Sequence, residues 1–155
     1  GRPACKQPEE IILIVQKEVA QIICSTPPNM SMLDVSVQFY AKAEIISYVK
    51  KENFWPKPKV DSAIIKITPQ KINEHIASAG LFFKIVKAGF SQPRKQLVNN
   101  LTGLKSANDV KLTKLQISSW LLKNKISPAQ RAETLSIDDW INLTMQSHNY
   151  IIILL

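Results

Sequence analysis

Glu9-Glu10-Ile11-Ile12-Leu13-Ile14-Val15-Gln16-Lys17-Glu18-Val19-Ala20-Gln21-Ile22-Ile23-Cys24 is the stretch that decides the fold class. Ile11 to Val15 is a short β-branched apolar run of the kind that fills a parallel strand buried on both faces. From Lys17 onward the spacing changes, with Val19, Ala20, Ile22 and Ile23 recurring at helical intervals until Pro27-Pro28 closes the segment. A strand followed at once by a helix is half of a βαβ unit, so this part of the chain reads as α/β.

Working outward, Val35, Val37 and Phe39 alternate with Ser36, Gln38 and Tyr40, a β-type pattern that resumes at Ile45-Ile46-Ser47-Tyr48-Val49. Phe54-Trp55-Pro56-Lys57-Pro58-Lys59 cannot join a central ladder, because each proline lacks a donor. Val60 to Ile67 alternates again as a last strand, antiparallel to the one before it. Residues 1–69 therefore look like the closing strands and helix of an α/β sheet. Beyond Pro69 the period changes from two to about 3.6 residues. Helices are expected near 80–91, 93–101, 112–123 and 137–147, so residues 70–155 read as a second, helical domain. Ser136 before Ile137-Asp138-Asp139 is an N-cap followed by acids at the positive end of the helix dipole. Tyr150 to Leu155 is an uncharged, β-prone tail that must dock somewhere or invite association.

The chain has 155 residues, 45% apolar and 21% charged, and a net charge of +8. That is enough for one ordinary core or two small ones. Between Lys84 and Lys125 nine basic residues (Lys84, Lys87, Arg94, Lys95, Lys105, Lys111, Lys114, Lys123 and Lys125) stand against one acid, Asp109. A cationic face this concentrated attracts a polyanion by releasing its counterions, and nucleic acid is the partner class it favours. A merely soluble lysine-rich surface is the plainer reading.

Several chemistries lack residues. Cys5 and Cys24 have no CxxC spacing and lie far from His75 and His148, so no metal cluster and two free thiols are expected. The four glycines are isolated, and no strand leads into a glycine-rich turn, so no cofactor cradle is expected in this chain. No Ser/His/Asp or Cys/His set has plausible spacing for hydrolysis. With no uncharged apolar run of about 18 residues and no secretory signal after Gly1, no membrane partner is expected and the cytoplasm is the default location.

Five blocks then occur in one order: Gln16-Lys17-Glu18-Val19-Ala20; Val35-Ser36-Val37-Gln38-Phe39-Tyr40-Ala41; Phe54-Trp55-Pro56-Lys57-Pro58-Lys59-Val60-Asp61-Ser62-Ala63; Phe90-Ser91-Gln92-Pro93-Arg94-Lys95-Gln96-Leu97-Val98-Asn99-Asn100-Leu101; and Arg131-Ala132-Glu133-Thr134-Leu135-Ser136. Together they resemble the KsgA-type ribosomal RNA adenine N6,N6-dimethyltransferases over about residues 11–147. The resemblance implies the C-terminal portion of a Rossmann-like methyltransferase sheet followed by a small helical domain. It implies S-adenosylmethionine as the cofactor of the full-length family protein, and ribosomal RNA of the small subunit as the partner. The family's glycine-rich cofactor loop, its acidic ribose-binding residue and its Asn-Leu-Pro-Tyr-type motif are not found here. A fragment, inactive alone and binding no cofactor alone, is therefore expected, with no catalytic residue of its own.

For the residues that remain, the resemblance places Phe54 against the flipped adenine, with packing under the loop as the plain alternative. Lys57 and Lys59 are set to reach phosphates beside it or to stay solvated. Arg94 and Lys95 are expected to open a helix after Pro93, where side chains, amides and dipole together favour a phosphate. Trp55 is expected to pack. Asn99 and Asn100 are expected near a helix end as caps, and Arg131 and Glu133 as ties for the loop after Pro128. Lys17 and Glu18 lie just past a strand end, where α/β sheets place ligands, but helix surface charge explains them equally well. Two other functions remain open: a non-catalytic RNA-binding or ribosome-assembly module, and the large-subunit, antibiotic-resistance type of adenine methyltransferase.

Overall fold

The computed structural model describes residues 8–71, 79–106 and 109–149. The apolar tail, Cys5 and His75 lie outside them. In chain order come β1 (Ile11–Gln16), α1 (Lys17–Ile23), α2 (Met32–Tyr40), β2 (Ala41–Val49) and β3 (Ser62–Pro69). Then follow α3 (Ala79–Gly89), α4 (Leu97–Leu101), α5 (Lys114–Lys123) and α6 (Ile137–Met145). The described residues thus divide into a small sheet with its helices and a helical module, which is the α/β plus α class expected.

The three strands lie in the order β1-β3-β2, with both pairings antiparallel. β2 and β3 form the expected antiparallel pair, joined by the proline segment and interrupted by a bulge between Ile45 and Ser47. The parallel, two-sided burial expected of β1 does not hold among the described residues. β3 returns between β1 and β2 and pairs with β1 in antiparallel register, Leu13 opposite Ile65 and Val15 opposite Ala63. Helix α1 covers the face that carries Ala63 and Ile65, which pack with Ala20, Val15 and Ile23. Among the described residues nothing covers the opposite face of β1, and Ile12 and Ile14 are 57% and 60% exposed.

Residues 35–39 are helical, not extended. The Asp34 carboxylate accepts hydrogen bonds from the Ser31 amide (2.7 and 2.9 Å) and from the Val35 amide (2.7 Å), fixing the first turn. Acidic charge there also meets the positive end of the helix. Val35 and Phe39, four residues apart, then share one buried face, which overrides their β propensity. That face belongs to the larger core, formed mainly by α3 to α6 around Phe82, Ile85, Trp120 and Trp140. Phe39 stacks on Phe82 at 4.1 Å between centroids, and Tyr40 on Phe83 at 5.9 Å. The helical module is thereby clamped to α2. Each fully buried aliphatic or phenyl side chain in such a core contributes about 1.5–3 kcal/mol.

The cap at Ser136 forms as expected. Its hydroxyl accepts from the Asp139 amide (3.2 Å), and the Asp139 carboxylate accepts from the Ser136 amide (2.8 Å). Thr113 and Gln116 make the same reciprocal pair at the start of α5.

Candidate nucleic-acid interface

The segment between β2 and β3 is tied at its base and open at its tip. The Lys51 amide donates to the Asp61 carboxylate (3.0 Å), and the Lys17 amide donates to the Asp61 carbonyl (3.0 Å). Asp61 thus pins the segment to the C-terminal ends of both β1 and β2. A single 3-10 turn, Lys51–Asn53, follows, closed by the Asn53 amide on the Lys50 carbonyl (3.0 Å) and the Phe54 amide on the Lys51 carbonyl (3.3 Å). Pro56 and Pro58 stiffen what comes next. Phe54 is half-buried at the base of this tip, whereas Trp55 is 96% exposed, contrary to its expected packing role. Phe54 itself has extended backbone, φ −114 and ψ 148, where the chain leaves the 3-10 turn.

Lys57 and Lys59 are exposed on the same tip. Lys57 pairs with Glu52 at 3.1 Å. The Glu52 carboxyl is held below its ordinary range by its own backbone hydrogen bond first and by Lys57 second. Lys17 lies over the ring of Tyr48, its ammonium 5.6 Å from the centroid, at the same end of the sheet.

Arg94 and Lys95 are exposed, but they do not open a helix. They sit in a turn, closed by the Lys95 amide on the Gln92 carbonyl (2.9 Å), and α4 starts only at Leu97, five residues long. Its first two amides are already engaged, Leu97 with the Gln130 carbonyl (2.7 Å) and Val98 with that of Pro128 (3.3 Å). The helix-end contribution expected for a phosphate is therefore absent, and only the two side chains remain. The turn itself is held from beneath. Asn100, buried, donates to the carbonyls of Gly89 (2.6 Å), the last residue of α3, and of Gln92 (3.0 Å), so it closes the end of α3 and braces the turn after it. The loop after Pro128 is tied through backbone carbonyls, including that of Glu133 on the Met30 amide (3.0 Å); the Arg131 and Glu133 side chains merely approach each other at 4.0 Å.

Beside this turn lies an apolar cleft of about 280 Å³ lined by Met30, Ser31, Met32, Phe90, Pro93 and Glu133. No sequence signal could have announced it, because three separate segments build it. The nine basic residues counted between Lys84 and Lys125 are all exposed, and Lys105 is paired with Asp109 at 2.7 Å. The aromatic tip closes one end of the sheet, while the Arg94–Lys95 turn belongs to the module that follows β3 from its other end. Eight residues of β3 span about 23 Å at ordinary strand rise.

A cofactor cradle does not fit the described residues. Gly80 and Gly89 lie within α3 and Gly103 follows α4, so none ends a strand; a β-carbon on Gly89 would meet the Trp140 ring, so that glycine serves packing. No group of three metal-ligating side chains occurs among the described residues. Cys24 is a free thiol, its pKa raised by burial and then by Glu44. No helix among the described residues is long and apolar enough to cross a membrane.

The family model described as ribosomal RNA adenine dimethylase matches residues 5–146. A ribosomal RNA small subunit methyltransferase A from Dehalococcoides mccartyi is 40% identical over 141 residues, covering 90% of this chain and 47% of the relative. One of the same description from Synechococcus elongatus is 39% identical over 137 residues, covering 87% and 47%. The chain spans about half the length of the curated relatives it matches. Among solved structures, a dimethyladenosine transferase from Plasmodium falciparum superposes with a TM-score of 0.72 at 21% identity, over 96% of this chain and 59% of that one. The 23S rRNA methyltransferase ErmE superposes with a TM-score of 0.65 at 17% identity, over 89% and 54%. At those identities the two structures speak for the fold alone.

Proposed function

Since the chain belongs to the ribosomal RNA adenine dimethylase family, we propose that it carries the target-base wall and an RNA-binding surface of an enzyme that dimethylates adenine N6 in small-subunit ribosomal RNA. S-adenosylmethionine supplies the methyl groups in that reaction, and the residues that would hold it are not among those described, so this chain alone is inactive. Its place of action is the cytoplasm.

Methylation at N6 depends on placement: the target adenine must leave its stack and be held still. An aromatic face does this by replacing the stacking the base loses, worth about 1–3 kcal/mol per base. The observation that carries the reading is the tip between β2 and β3, where Phe54 sits half-buried beside exposed cations at the C-terminal ends of β1 and β2. That is the end of an α/β sheet where ligands gather. Lys57 and Lys59 meet phosphates near the target nucleotide, and Arg94 and Lys95 meet phosphates elsewhere on the same RNA, without reading sequence.

The test is Phe54→Ala in the full-length protein. Methyl incorporation into small-subunit RNA is expected to fall roughly tenfold or more, with RNA affinity largely kept. Methylation at the normal rate would remove Phe54 from the site.

A further inference from the structure

Two of the three tryptophans, Trp120 and Trp140, are fully buried in the helical core, and only Trp55 meets solvent, with 96% of its surface exposed. A lone exposed apolar residue is ordinary. What sets Trp55 apart is its setting. Its backbone is preceded by the closed turn at Lys51–Asn53, anchored through Asp61, and followed by Pro56 and Pro58. The ring is therefore presented on an ordered support, and ordering it on binding costs little further entropy. Within five residues of it along the chain stand Lys50, Lys51, Lys57 and Lys59 against the single acid Glu52.

A partner for an exposed indole on a lysine-rich segment must offer both a flat apolar face and negative charge. Unpaired nucleic acid offers both, a base to stack on and phosphates to pair. A protein layer docking on this tip would instead have to strip water from those lysines, and the interiors of protein interfaces are depleted in lysine for that reason. Duplex RNA supplies the charge but keeps its base faces covered.

We infer that Trp55 is a stacking platform for an unpaired RNA base adjoining the one held at Phe54. The inference rests on the functional reading above. Because Phe54 is half-buried at the base of the tip while Trp55 stands in solvent, the two rings serve two different bases and do not sandwich one. Trp55 is thus a positioning residue: it fixes the nucleotide next to the target and so fixes which base reaches Phe54.

The test uses fluorescence of the full-length protein, with Trp55→Phe as the reference that isolates the Trp55 emission. That emission is expected to be open to iodide in the free protein and quenched by oligoadenylate, but not by double-stranded RNA of equal length. Trp55→Ala should weaken oligoadenylate binding roughly tenfold, while Trp55→Phe, which keeps a ring, retains most of it. Emission shielded from iodide without RNA would mean that the ring packs on protein, and the inference fails. Equal quenching by duplex would mean charge alone, and it fails too. If Trp55→Ala binds normally while Phe54→Ala is inactive, this inference falls and the functional reading stands. If the wild-type protein methylates no small-subunit RNA, the functional reading falls, and the titration still decides the role of Trp55.

Discussion

No β-carbon fits between Gly89 and the indole of Trp140. The last turn of α3 meets α6 there at backbone distance, and a β-carbon would also come to 3.2 Å from Leu97 Cδ1. Trp140 is fully buried and its ring is tilted against that of Phe90 at 5.6 Å, so it has little room to yield. Gly89→Ala should therefore destabilise the protein by about 1–3 kcal/mol, the usual cost of overpacking. A denaturation midpoint equal to wild type would show that the indole can move aside.

The brace beneath the cationic turn makes a second prediction. Asn100→Ala removes two hydrogen bonds, one to the buried carbonyl of Gly89 and one to that of Gln92, which keeps the Lys95 amide. Taking the donor from the buried Gly89 carbonyl costs about 1–3 kcal/mol. Amide exchange at residues 90–96 should accelerate, and RNA affinity should fall with it, although Asn100 itself touches no RNA. Unchanged exchange across that turn would refute the brace.

Arg94 and Lys95 are predicted to act through charge alone, because α4 offers no free amide at its start. In the full-length protein, Arg94→Ala/Lys95→Ala should weaken RNA binding similarly for unrelated sequences. It should also reduce the slope of log affinity against log salt by between about one and two. A slope identical to wild type would take both residues off the RNA.

Ser136→Ala should lower stability by about 1 kcal/mol, the ordinary value of an N-cap. The Asp139 amide would lose its side-chain acceptor, and Asp139 would keep only the Ser136 amide. A thermal midpoint within error of wild type would show that Asp139 suffices by itself.

How far the structure was legible follows from where each signal resides. The Ser136 cap, the helical spacing of α1 and the β2–β3 pair depend on neighbours within a few residues, or on two strands joined by a short link, and those signals were read correctly. At residues 35–39 the local signal was ambiguous, since an i, i+4 pair such as Val35 and Phe39 also satisfies strand alternation. Only the Asp34 brace and the core formed with α3 chose between them. Trp55 and the Met30–Phe90 cleft left no periodic trace, because exposure and concavity belong to surfaces and not to segments.

By itself the sequence determined the change to a helical module after Pro69, the excess of cations after Lys84 and the family blocks, because periodicity, capping and charge are carried by the residues in place. The tertiary structure alone decided that β3 inserts between β1 and β2, that Arg94 and Lys95 stand on a turn without a helix end behind them, and that Phe54 is half-buried while Trp55 stands in solvent. These outcomes turn on which distant groups take up each backbone hydrogen bond and each apolar face, and no stretch of chain contains its own partners.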